Sequence, residues 1–130
     1  MAAGEYDNRR RFETVKEAVL VFADSPLEFK PGTDYAYSAY NFVLLSAAIE
    51  GASSMGFLEY MQTEILDPLG LESTGPNRSP QPMPGLVASH GRGMFNRLMR
   101  APATDVSNKW AAGGYVSTPT DMVRFGNGLL

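Results

Sequence analysis

The side chains able to do covalent chemistry are few in this sequence and poorly placed relative to one another. Ten serines are present, and a serine becomes a nucleophile only when a base lies within hydrogen-bond reach to take its proton. None is followed three residues later by a lysine, because the lysines are Lys16, Lys30 and Lys109, and no Gly-x-Ser-x-Gly turn occurs. The one histidine, His90, sits between Ser89 and Gly91 in an irregular stretch, where the ordinary reading is a surface or strand histidine rather than a triad member. With one histidine and no cysteine, a zinc site would need three carboxylates converging by tertiary folding, so no metal ligand set is assigned. Glu13 and Glu17 read as solvated helix positions. Asn77-Arg78-Ser79 matches a glycosylation acceptor but is followed directly by proline. What remains is Tyr37-Ser38, just behind a Pro-Gly turn and at the entry of an apolar helix. A phenol moves protons at neutral pH only if a cation lowers its pKa from about 10. Composition alone therefore favours a packed, hydrogen-bonded tyrosine.

The elements that would position these groups can be read from periodicity. Thr14-Val15-Lys16-Glu17 fits a capping box, with the glutamate reaching back to the N–H of the cap. Val15, Ala18, Val19 and Phe22 then repeat as one buried helical face, and Asp24-Ser25-Pro26 stops the pattern, predicting a helix over 14–23. Pro31-Gly32-Thr33-Asp34 is turn chemistry. The run from Phe42 to Glu50 is a helix with few charges, expected to be buried on most sides and ended by Gly51 in a left-handed cap. Phe57, Leu58, Met61, Ile65 and Leu66 mark a third helix, closed by Asp67-Pro68-Leu69-Gly70 and able to pack on the second as a hairpin. From Gly75 to Gly93 four of the nine prolines cluster, which fits an exposed loop or a few short strands, and the stretch is read as irregular. Thr118-Pro119-Thr120-Asp121 supplies a cap, a proline at the first helical position and a first-turn acid for a last helix, whose pattern runs to Leu130 without a stop signal. That ending predicts a segment cut from a larger domain.

Composition sets the outer bounds. A chain of 130 residues with 44% hydrophobic content holds one modest core. Eleven basic against 14 acidic residues give a net charge of −3, and the longest like-charge run is Arg9-Arg10-Arg11, so nucleic acid is not expected as a partner. No run is apolar and long enough to span a membrane. The expected class is mainly α with irregular or short β segments.

The order of segments resembles the class C beta-lactamase-related serine hydrolases, in the serine beta-lactamase and penicillin-binding-protein superfamily. The resemblance rests on Phe29 through Ser38, on Leu44-Leu45 and Ile49-Glu50, on Ile65 through Leu71 with Thr74, and on Asn108 through Thr118 with Asp121 and Phe125-Gly126-Asn127. It covers residues 18 to 130, and the tail is most similar to the mitochondrial beta-lactamase-like serine protease branch. The resemblance implies the helical region of an α/β beta-lactamase or transpeptidase-like fold, incomplete over 1–130 as a single partial domain. It implies acyl-enzyme hydrolysis of an ester, peptide or beta-lactam amide, no cofactor, and a small-molecule or peptide substrate for the complete parent.

Within that family a Ser-x-x-Lys helix carries the nucleophile, a Tyr-x-Asn motif carries a proton-relaying tyrosine, and a Lys-Thr-Gly or His-x-Gly strand closes the pocket. Tyr37 matches the tyrosine, Ser38 follows it, and Ala39 stands where many members have asparagine, which favours an esterase or peptidase over a classical beta-lactamase. The other two motifs are absent from these residues, so the expectation is a segment inactive by itself. A noncatalytic helical binding module is the alternative. Gly113-Gly114 reads either as active-site wall, where glycine permits close backbone approach, or as a tight turn before the last helix.

Overall fold

The computed structural model describes residues 10–78, 83–101 and 105–130. Arg9 of the basic triplet and Ser79 of the glycosylation sequence lie outside them. The first helix, α1 (Val15–Val19), begins where the capping box places it: the Thr14 hydroxyl accepts from the Glu17 N–H at 3.2 Å. The reciprocal arm differs, since Glu17 Oε2 accepts from the N–H of Glu13 at 3.3 Å, one residue before the cap. Past Val19 the chain tightens into turns, with Phe22 N–H donating to the Val19 carbonyl, so the helix is shorter than 14–23. Phe22 nevertheless keeps the inward face its spacing predicts, stacking on Tyr40 with centroids 4.6 Å apart.

Helix α2 (Tyr40–Ser53) is the axis of the fold. Its buried positions Tyr40, Val43 and Ser46 follow a three-residue spacing. Tyr40 and Val43 pack with Phe12, Val15, Ala18 and Phe57 in the core. The opposite face stays open. Phe42, Leu44 and Leu45 are 40%, 49% and 58% exposed, so α2 is covered on one side rather than on most. Gly51 does not end it; the left-handed cap falls on Ser54, φ 59°, whose N–H reaches the Glu50 carbonyl at 3.0 Å. The Glu50 carboxylate then accepts from the Phe57 N–H at 2.8 Å, bracing the corner into α3 (Phe57–Tyr60).

Helix α3 continues as a π-helical stretch, Met61–Leu66, and the combined segment turns about 80° from α2. The pair is therefore a corner, not an antiparallel hairpin. The closing turn is as expected, with Gly70 at φ 63°. No single helix among the described residues is long and apolar enough to cross a membrane.

Among the described residues four short strands complete the fold. β1 (Gly75–Pro76) pairs antiparallel with β4 (Tyr115–Val116), and β2 (His90–Arg92) pairs antiparallel with β3 (Leu98–Arg100). The stretch 75–93, expected to be irregular, instead carries a short strand at each end, because its backbone pairs with the segments at 115–116 and 98–100. A 3-10 segment, Ser107–Ala112, packs against α2 and α1. Ser107 Oγ accepts from the N–H of buried Phe12 at 2.7 Å, tying residues 95 positions apart. The last helix, α4 (Pro119–Asn127), has its predicted cap in the Thr118 hydroxyl, 3.3 Å from Asp121 N–H, and stops at Asn127 instead of running to the last residue. Helices with a few short strands around them are the predicted class.

Candidate active site

The Tyr37 segment is built by a turn and a helix start. Gly32 takes φ 81°, which lets Thr33 fold back and donate twice to the Lys30 carbonyl, from its N–H at 3.1 Å and its hydroxyl at 2.6 Å. The chain then runs irregularly through Tyr35 and Tyr37, 81% and 63% exposed. Ala39 already has helical backbone, φ −59° and ψ −29°. The group that acts as the cap is therefore Ser38: its hydroxyl oxygen accepts from the Tyr40 N–H at 3.2 Å and its carbonyl from the Asn41 N–H at 3.2 Å. This arrangement presents the Tyr37 phenol at the mouth of α2, its ring 6.3 Å from that of Phe42, while Ala39 is buried.

Gly113 and Gly114 lie at the far end of the 3-10 segment that packs on α2. Gly113 closes it with φ 111°, a conformation that side chains rarely adopt. Gly114 is in close contact, since a Cβ there would meet Trp110 Cα at 2.6 Å. Its carbonyl accepts from Asn77 N–H at 2.7 Å and so continues the β1–β4 pairing. Turn and close approach are thus divided between the two glycines.

Behind them opens an apolar cavity of about 450 Å³, walled by α2, the α3 corner, Trp110, Tyr115 and α4. Gly113 lines it; Tyr37, Ser38 and Ala39 do not. His90 is an exposed strand residue with Nδ1 2.9 Å from the Ala88 carbonyl oxygen, remote in kind from a triad. Among the described residues no cluster of three His, Asp or Glu side chains is arranged to hold a metal.

Two groups gain significance that spacing did not reveal. Asp121 stands in the first turn of α4 as its spacing predicts, but it is buried, 2% exposed. Its carboxylate accepts from Ser73 N–H at 2.8 Å, from the Thr74 hydroxyl at 2.9 Å and from Arg124 at 3.2 Å, and Thr74 Oγ1 lies 2.7 Å from Ser117 Oγ. Residues 47 apart leave no periodic signal to find. Tyr115 carries its hydroxyl buried with no hydrogen-bond partner among the described residues, and burial pushes its pKa up to about 12 against the lowering effect of Arg78.

A protein-family model described as Beta-lactamase matches residues 1–130. The chain belongs to the beta-lactamase family. It is 35% identical over 127 residues to the mitochondrial serine beta-lactamase-like protein LACTB of Homo sapiens, covering 98% of this chain and 23% of that protein. It is 33% identical over 100 residues to the D-alanyl-D-alanine-carboxypeptidase/endopeptidase AmpH of Escherichia coli K12, covering 76% and 24%. Among solved structures, the D-amino acid amidase of Ochrobactrum anthropi SV3 superposes with a TM-score of 0.79 at 19% identity, over 98% of this chain and 40% of that one. That likeness confirms the fold. The chain spans about a quarter of the length of these curated relatives. The resemblance read from Phe29–Ser38 and from the 108–127 tail is thus to the right family of serine hydrolases.

Proposed function

We propose that these residues form the helical wall of an acyl-transfer site in a beta-lactamase-type serine hydrolase, with Tyr37 as the proton relay. The observation that carries the reading is the solvent-facing phenol of Tyr37 at the entry of α2, in a chain whose whole length matches the family. Ser38 supports it from below by spending its hydroxyl on capping α2, which fits a positioning role and not a nucleophile. Gly113 and Gly114 would hold the opposing wall close to the helix, and Ala39 would leave the amide-contacting position of the family empty. The nucleophile would come from a Ser-x-x-Lys sequence outside these 130 residues.

In the proposed reaction the serine oxygen attacks the carbonyl carbon of an ester or amide as its proton passes toward the lysine and Tyr37. The proton is delivered to the departing alcohol or amine, and water then hydrolyses the acyl-serine to the acid. Esters and peptides are favoured over beta-lactams because Ala39 lacks the amide of asparagine.

The open apolar face of α2, with Leu44 and Leu45 half exposed, supports a second reading, a helical module that binds another polypeptide. One experiment separates the two. The 130-residue chain, and the same chain joined to a family Ser-x-x-Lys segment, are treated with a fluorophosphonate and with a fluorescent beta-lactam and read by intact mass. An adduct on the joined protein alone, slowed in Tyr37→Phe, is the expected result. No adduct on either protein would sink the hydrolase reading, and a stoichiometric adduct on the short chain would place the nucleophile within it.

A further inference from the structure

The segment from Leu86 to Ala101 has no acidic residue, yet it holds Arg92, Arg97, Arg100 and His90 in a chain of net charge −3. Counting runs along the sequence hides this, because the cations are spaced by glycine and apolar residues. Pairing gathers them. His90 lies opposite Arg100 and Arg92 opposite Leu98, so one face of the β2–β3 hairpin carries His90, Arg92, Leu98 and Arg100. The other face has a glycine floor: a Cβ on Gly93 would meet the Met99 sulfur at 2.3 Å.

The hairpin is also exposed throughout. Every residue of both strands is open to solvent, and among the described residues β2 and β3 pack appreciably only on each other. At the apex stand Met94 and Phe95, 78% and 86% exposed, with Leu98 at 73% just behind. Phe95 and Asn96 both take φ 60°. A tight turn of this kind ordinarily uses glycine or asparagine at such positions, and an aromatic there is disfavoured sterically. The fold tolerates a strained backbone to hold an aromatic ring at the tip, flanked by arginines.

We propose that this hairpin is a membrane-docking element, which inserts Met94, Phe95 and Leu98 among the acyl chains of an anionic bilayer while Arg92, Arg97 and Arg100 engage the headgroup phosphates. The charge is complementary to an anionic surface, and the apolar tip is what a bilayer accepts and a polyanion in water does not use. Docking on a surface needs no spanning segment, so it is compatible with described residues in which no single helix is long and apolar enough to cross a membrane.

The test is flotation of the 130-residue chain with vesicles of phosphatidylcholine alone or mixed with phosphatidylglycerol. Binding is expected to the mixed vesicles only, and to weaken as salt is raised. Each arginine replaced by serine should lower partitioning about fivefold. Phe95→Gly should lower it roughly tenfold or more, while the thermal midpoint holds or rises because glycine relieves the turn. That divergence separates insertion from a structural role for the ring. Equal behaviour on both vesicle types, or binding indifferent to Phe95→Gly and to salt, overturns the proposal. So does a chain that ignores vesicles and forms a salt-sensitive dimer lost on arginine replacement, which would assign the hairpin to the acidic surface of a second copy.

Discussion

The Thr74 hydroxyl donates to the buried carboxylate of Asp121 across 2.9 Å, joining the start of α4 to the chain that leaves the α3 corner. The same carboxylate holds Ser73 N–H and Arg124, while the Asp121 N–H is held by the Thr118 cap. Asp121 is therefore a bracket more than a first-turn charge. Asp121→Ala would leave the Ser73 N–H and Thr74 hydroxyl without their acceptor and is expected to cost about 2–4 kcal/mol. Thr118→Ala removes only the cap and should cost about 1 kcal/mol. Urea unfolding of the two variants checks the order. Equal losses would mean that the carboxylate contributes nothing beyond helix capping.

The two adjacent glycines should respond to alanine for different reasons. At Gly114 the added methyl meets Trp110 Cα, a backbone atom that cannot rotate away, and about 1–3 kcal/mol of overpacking is expected. At Gly113 there is open space around the methyl but φ is 111°, so the cost is backbone strain of about 1–2 kcal/mol. Gly113→Asn should recover part of the loss, since asparagine tolerates positive φ better than alanine does. Gly114→Asn should recover none. Thermal or urea midpoints of the four variants decide it.

Local signals were legible because local physics sets them. Thr14 and Thr118 cap where their neighbours predict, and the turns at Gly32 and Gly70 bend where glycine allows. Failures occur where one local preference meets tertiary competition. Gly51 could have ended α2, but the helix continues to Ser53 and Ser54 takes the left-handed cap. The α2–α3 corner depends on the Glu50 side chain reaching Phe57 N–H, a contact no periodicity encodes. At the candidate site, Tyr37 is legible through its likeness to a family motif, whereas the Asp121 bracket joins residues 47 apart and leaves no periodic pattern. The cationic hairpin was hidden for a related reason: its arginines are neighbours only once β2 and β3 pair.

Tyr115 gives a pH signature. Its phenol ionises at about 12 in the folded chain and at about 10 when unfolded, because burial disfavours the phenolate. Between those values the unfolded chain releases this proton and the folded chain keeps it. The Tyr115 contribution to stability is therefore complete below about pH 10 and is lost as pH rises toward 12. Tyr115→Phe should flatten this component of the alkaline fall. At neutral pH it should be neutral or stabilising by up to about 1 kcal/mol, since it removes a buried hydroxyl with no partner among the described residues. Urea midpoints from neutral to strongly alkaline pH test both parts. An unchanged alkaline slope in Tyr115→Phe would refute the assignment.

Tyr37 should separate function from stability. Its side chain is 63% exposed and its nearest aromatic neighbour, Phe42, is itself on the open face of α2, so Tyr37→Phe removes little packing and should shift unfolding by less than about 0.5 kcal/mol. If the phenol relays the proton of an attacking serine, the same change should lower kcat/KM about 10²–10⁴-fold in a protein that carries the Ser-x-x-Lys segment. Acylation would fall with it, because the hydroxyl is then needed before the acyl-enzyme forms. Tyr35→Phe, on the same exposed stretch and two residues earlier, is the matched control and should leave the rate unchanged. Equal rate losses in the two variants would show that the stretch acts through substrate contact in general, and Tyr37 would lose its role as the relay.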